Sequence, residues 1–370
     1  MIGRLLSILV PAVLLAVSLG CASVSPEEQA RRNRVLTDYE SALTALRAGN
    51  DAQAKSLLDS ALLTLGASTA GDSSARESRG YFNPESTKTF RGEPYERTMA
   101  YYYRGILYWM DGEPDNARAA FRSAAVQDTD PENGKSQCDW VLIDYLDGLA
   151  TAKLGGDGKD AWRRASTNAK LNPPPPYDPQ ANVLFFLEMG RGPTKYAAGE
   201  YGQQLKFRPG SAPDPIAVIT VHDQTIRVGA FDDLTYQATT RGGRVMDHVL
   251  QGKAVFKSAT DTAGTAAIIA GTAVAIAGDS NASRNAGLGI ALAGLVTKVV
   301  SAATTPEADT RQWNNLPNLL SFAAVQLPPG EYLATVAFQS PTGQTLVTRT
   351  VKFQVVNGRD TVLFLSDQNQ

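Results

Sequence analysis

The apolar positions of this chain keep a helical period in its first half and an alternating one in its second. The fullest helical stretch is Met99 to Gln127, MAYYYRGILYWMDGEPDNARAAFRSAAVQ, which reads as two short amphipathic helices joined by a tight acidic turn. Small or aromatic residues fall at Gly105, Tyr108, Gly112, Ala117, Phe121 and Ala124. Helix axes approach to about 8 Å only where the facing side chains are small, so Gly105 and Ala117 mark the crossing and Phe121 and Tyr108 fill the space beside it. Gly112 stands where the first helix must end, because a left-handed residue closes a C-terminus at little cost, and Pro114 cannot continue that helix.

The register recurs in Val35 to Leu65, where Ala42, Gly49, Ala54, Leu58 and Ala61 keep the offsets of Gly105, Gly112, Ala117, Phe121 and Ala124, with Ala45 in place of Tyr108. A third hairpin runs from Trp140 to Leu154 and from Asp160 to Lys170, across GGDGK. Gly148 and Gly155 hold the offset, and the second helix slips by one residue at Ala161 and Ala165. This register resembles that of tetratricopeptide repeats, which implies a stack of α-hairpins and a docking scaffold rather than a reaction. Three hairpins are about the minimum for a self-supporting stack. Aromatics and Arg are common interface anchors, so Tyr101, Tyr102, Arg104 and Tyr108 are expected to line a partner groove, with core packing the plainer role for Tyr102 and Tyr108.

A long loop, residues 66–97, separates the first two hairpins; its Tyr81, Phe82, Phe90 and Tyr95 predict an ordered strap lying on the helices. NPPPPYDP, Asn172 to Pro179, fits neither helix nor central strand and marks a rigid linker at 172–180. A polyproline ligand is the sharper reading of the same residues. The linker divides a helical domain, 35–171, from a strand-rich domain, 181–370. Strands are expected at Asn182–Glu188, Ile216–Val221, Thr225–Val228, Leu234–Thr239, Tyr332–Phe338, Leu346–Val356 and Thr361–Leu365. The fold class is therefore α+β multidomain: N-terminal α-hairpin repeats, then a small β-sandwich-like domain of the immunoglobulin-like or transthyretin-like kind.

An apolar helical hairpin, 245–303, interrupts the strands. Gly264, Gly271 and Gly278 recur every seven residues, and Gly287 and Gly294 repeat the spacing after the polar break GDSNASRN. Seven residues is nearly two turns, so each set lines one stripe of a helix. Each helix is expected to hold about fifteen apolar residues, about 22 Å, against a hydrocarbon core near 30 Å. Burial against the sheet, a spanning pair, and self-association or shallow membrane contact all remain open.

The first twenty residues carry one Arg and then a charge-free apolar run, the form of a secretory signal. Ser18, Leu19, Gly20 and Cys21 resemble the lipobox of bacterial lipoproteins, with Ser18 where Leu is usual. The resemblance implies a signal peptide over 1–20, an acylated Cys21, a polar spacer over 21–34 and, since Ala22 is not Asp, the outer membrane, periplasmic side. Ordinary cleavage to a soluble secreted protein is the alternative. Phe90–Arg97 (FRGEPYER), Val183–Lys195 (VLFFLEMGRGPTK) and Ala308–Pro317 (ADTRQWNNLP) resemble phrases of a group of uncharacterised repeat-containing bacterial lipoproteins, a resemblance that implies no activity.

The formal net charge of −2 argues against nucleic acid as the main partner. Two cysteines, Cys21 and Cys138, supply no disulfide framework, and two histidines, His222 and His248, no histidine-rich metal site. GRGPTK at Gly190–Lys195 lacks P-loop spacing, and Gly287, Gly289 and Gly294 miss the dinucleotide fingerprint. His222 beside Asp223, and His248 beside Asp247, point apart on either regular element, with no nucleophile motif nearby. Cys138 reads as a small buried residue, and Asp232 and Asp233 as turn residues without a hydrolase pattern. The expectation is a non-enzymatic outer-membrane lipoprotein, without cofactor or metal, that acts as an interaction scaffold or assembly factor. Its partner is another envelope protein; it meets the membrane through Cys21, helped by residues 262–303, and homo-oligomers are compatible with the glycine stripe. The alternatives are an envelope glycan-binding module or hydrolase in the strand-rich half, and an oligomeric pore or adhesin component built through the hairpin.

Overall fold

A computed structural model describes residues 25–67, 78–128, 138–240, 245–277 and 280–368. Cys21, the signal segment, part of the loop 66–97 and Gly278 lie outside the described residues. The chain is mixed α+β, with helices N-terminal and strands C-terminal.

Six helices come first: α1 Pro26–Arg47, α2 Asp51–Ala67, α3 Pro94–Met110, α4 Pro114–Asp128, α5 Val141–Lys153 and α6 Lys159–Asn168. Their ends follow local chemistry. The Ser25 hydroxyl accepts the Glu28 amide at the start of α1, Glu93 and Glu96 cap α3 reciprocally, and Pro94 opens it. Gly49, Gly112 and Gly155 hold φ of 72°, 83° and 81° and close the first helix of each hairpin. Each helix packs mainly on the one before and the one after it. Ala42, Ala54, Leu58, Ala61, Ala117, Phe121 and Ala124 are all buried. At Gly105 a Cβ would stand 2.5 Å from the Phe121 ring, so the α3–α4 crossing requires its absence.

The strands build two four-stranded sheets and a ribbon. The first sheet has the order β10 (Thr361–Ser366), β1 (Val183–Met189), β7 (Leu319–Val325), β6 (Asp232–Asp233), with β1 and β10 parallel. The second has the order β5 (Gln224–Gly229), β4 (Ile216–Val221), β8 (Gly330–Gln339), β9 (Thr345–Val355), all antiparallel. The ribbon pairs β2 (Thr194–Ala198) with β3 (Gln204–Arg208). Every residue of β1 is buried, because alternate side chains serve two different cores. Leu184 and Phe186 join Tyr102, Tyr103 and Trp109 of the helices, whereas Val183, Phe185 and Leu187 join Ala217, Ile219 and Val336 of the second sheet. The layers are therefore helices, first sheet, second sheet. The helical core runs unbroken across residues 172–180 into the first sheet. The Pro-rich segment docks on this body, with the Trp162 indole donating to the Pro175 carbonyl at 3.1 Å and Tyr177 filling the gap over Gly148.

One expectation is corrected here. Leu234–Thr239 is not a strand but a helix, α7, because the Asp233 carboxylate accepts the Thr235 and Tyr236 amides and caps it; Leu234, Gln237 and Ala238 then share one buried face. The apolar helices are α8, Val245–Ala277, and α9, Asn281–Ala303, of 33 and 23 residues, which carry the apolar stretches of about fifteen residues each and extend beyond them. They pack on each other along their length; the foot of α8 is buried at Leu250, Lys253 and Ala254, where it meets β3, and beyond it the outer sides of the pair are exposed rather than buried against a sheet.

Candidate functional site

The segments Phe90–Arg97, Val183–Lys195 and Ala308–Pro317 converge on one buried node. Glu96 of the first accepts the Lys195 ammonium of the second at 2.5 Å and the Trp313 amide of the third at 2.8 Å. Lys195 also donates to the Arg311 carbonyl at 3.0 Å, and Arg311 reaches Asn33 of α1 at 2.7 Å and the Lys88 carbonyl at 2.8 Å. Glu96 and Lys195 are both buried, so this node joins helix to sheet and presents nothing to solvent. A second buried junction lies on β1, where Glu188 accepts Arg47 at 2.9 Å and the Tyr103 hydroxyl. Asp232 and Asp233 cap helices. Asp232 accepts the Val141 and Leu142 amides at 2.9 and 2.8 Å and so caps α5, while burial lifts its carboxyl to about 7 against those two bonds. Reading the two aspartates as turn residues missed these roles: the partners of Asp232 lie about 90 positions away, whereas those of Asp233 are two and three residues on.

The residues proposed for a partner groove do not form one. Tyr102 is fully buried against Phe121 and Phe186 and lines no accessible surface. Arg104 pairs with Asp59 at 2.7 Å, and its guanidinium carbon lies 3.5 Å above the Tyr108 ring. Tyr101 and Tyr108 are half-buried. The first helix of each hairpin faces the first sheet, so the inner face of the helical layer is already occupied by the chain itself. The outer face differs: Leu63 on α2 is 74% exposed and Val126 on α4 is 66% exposed. Both stand at the same offset after their turn glycines, Gly49 and Gly112, a signal legible in the sequence.

The glycine stripe closes α8 onto α9. A Cβ at Gly271 would stand 2.4 Å from the Ala291 amide nitrogen, one at Gly287 2.4 Å from that of Ala275, and one at Gly294 2.7 Å from that of Ile268. Gly264 faces the Gly294 carbonyl in the same way. The outward residues Ile269, Val274, Ile276, Leu288, Leu292 and Val296 are exposed.

His222, at φ 52°, forms the β4–β5 turn beside Asp223, both exposed, and His248 is exposed on α8. Burial pushes the Cys138 thiol far above its usual range, which disfavours the thiolate. Among the described residues no group of three His, Cys, Asp or Glu side chains is placed to hold a metal. A cleft of about 420 Å³ between the helices and the β9–β10 turn holds Lys153 and Asp360, paired at 2.8 Å, with the Trp109 indole donating to Asp360 at 2.8 Å. These groups satisfy one another. No protein-family profile, curated protein or solved structure matches this chain.

Proposed function

We propose that this chain is a non-enzymatic scaffold or assembly factor of the bacterial envelope: an outer-membrane lipoprotein on the periplasmic side, held through a lipid on Cys21. In this reading its tetratricopeptide-like hairpins and sandwich-like sheets form one body that docks another envelope protein. The observation that carries it is the packing of successive hairpins in chain order, closed by glycines at matched offsets, the arrangement by which repeat proteins offer extended docking faces. Because the inner face is filled, docking belongs on the outer helices, around Leu63 and Val126 rather than Tyr102 and Arg104.

A photo-crosslinking residue placed at Leu63 or Val126 in cells is expected to give a discrete adduct with one envelope protein, and Leu63→Asp with Val126→Asp to abolish it. Adducts that form equally from exposed positions on the second sheet would overturn the docking face. Fatty-acid labelling lost on Cys21→Ala tests the anchor separately. The mutually paired groups of the Trp109 cleft give no support to the glycan-binding or hydrolase alternative.

A further inference from the structure

The α8–α9 hairpin has different requirements on its two sides. Its touching sides are backbone against backbone at Gly271, Gly287 and Gly294, so the small-residue stripe is consumed within the hairpin and is not left over for a second copy. Its outer sides are apolar around much of each helix: Ile269 is 65% and Ile276 78% exposed on α8, and Leu288, Ile290, Leu292 and Leu295 are exposed on α9. A protein partner needs one apolar face, whereas lipid surrounds a helix pair.

The polar groups fit lipid as well. Between Ala263 and Ala277, and between Ala286 and Thr297, the threonine hydroxyls are those of Thr265, Thr272 and Thr297, and each donates to the carbonyl four residues earlier in its own helix, at 2.9, 2.7 and 2.9 Å. No hydroxyl there needs water, as hydrocarbon demands. Charge collects at one end: Asp261 pairs with Lys298 across the helices at 2.7 Å, and Lys257 donates to the Ser301 carbonyl at 2.5 Å. Above that rung the next charged residues in the sequence are Asp279 and Arg284. From Asp261 to Ala277 the helix rises about 24 Å, close to the apolar band of about 25 Å on outer-membrane barrels.

The base also lies on the same side as the start of the helical layer. Lys253 donates to the Ser78 and Asn83 carbonyls at 2.6 and 2.8 Å, Tyr81 packs on Phe256 at 4.6 Å, and a few residues on Phe90 donates to the Arg32 carbonyl at 2.8 Å. The strap therefore connects the foot of the hairpin to the first turns of α1, which follow Cys21 closely in sequence.

We propose that α8–α9 is a bilayer-inserted hairpin that enters lipid tip first, as far as the Asp261–Lys298 rung. The insertion does not depend on whether the outer helices dock a protein. The chain beginning at Ala22 keeps every described residue and lacks both leader and lipid, so its binding to vesicles of phosphatidylethanolamine and phosphatidylglycerol reports the hairpin. It is expected to float with the vesicles and resist an alkaline wash. The Ile269→Glu, Leu292→Glu pair, both outward and exposed, is expected to lower the bound fraction at least tenfold with an unchanged near-ultraviolet circular dichroism spectrum. In a Cys138→Ala background, an environment-sensitive dye on Ile276→Cys is expected to shift to the blue and escape iodide quenching once vesicles are added. Equal flotation of the glutamate pair, a dye still quenched on vesicles, or lipid-free dimers in which the dye is already shielded would each overturn the proposal.

Discussion

Glycine in a helix ordinarily weakens it, so a helical glycine that cannot be replaced by alanine marks a contact. Gly252, where a Cβ meets nothing within 4 Å, is the ordinary case; Gly105, where it meets the immobile Phe121 ring at 2.5 Å, is the contact. Gly252→Ala is expected to stabilise by about 0.5–1 kcal/mol and Gly105→Ala to destabilise by about 1–3 kcal/mol, with urea midpoints giving the opposite signs. The other residue with a measurable signature is Asp367. Burial first, then its neighbour Asp214, lifts its carboxyl to about 7, although the Gly190 amide donates to it at 2.6 Å. The folded chain keeps this proton up to about pH 7, whereas an unfolded Asp releases it near 3.9, so the folded state binds more protons between those limits. Stability should therefore fall as pH rises from about 4 to about 7 and level off above, with Asp232 adding to the same slope. Asp367→Asn should flatten its share of that slope in thermal melts; an unchanged slope would refute the assignment.

At the scale of elements, what was legible in the sequence is what neighbouring residues decide. Gly112 and Pro114 end one helix and begin the next whatever lies around them, and the same holds at Gly49 and Gly155. Leu234–Thr239 has a strand's composition, yet one carboxylate at its start turns it into α7. The continuous apolar run of β1 announces burial on both faces but not that helices cover one and a sheet the other. The hairpin was the least legible element, because Gly and Ala stripes specify close approach without saying what covers the remaining sides. Its closeness is itself testable. Gly271→Leu must push backbone from backbone, since a Cβ there also faces the Gly287 carbonyl at 2.6 Å. Limited proteolysis is expected to open between residues 262 and 297 while the urea midpoint of the body stays where it was.

The molecule as a whole is held by charges that no short stretch of sequence announces. Glu96 and Lys195, 99 positions apart, are buried together where helices meet sheet. Lys195→Met alone leaves Glu96 without its counter-charge and is expected to cost about 3–5 kcal/mol. The double variant Glu96→Gln, Lys195→Met, which removes both charges and keeps an acceptor for the Glu93 or Trp313 amide, should recover part of that loss, and a double variant as unstable as the single one would refute the missing counter-charge as its cause.

A different kind of control sits in the two residues of β6. Successive strand residues point to opposite faces, and Asp232 opens α5 while Asp233 opens α7. Sliding β6 by one position against Leu319 and Leu320 would exchange those faces and unseat the start of α5, whose amides lie about 90 positions away, while the cap of α7, two and three residues on, would travel with the strand. A two-residue strand thus ties the register of its sheet to the start of a helix remote in the chain, so that one misalignment is felt in both layers.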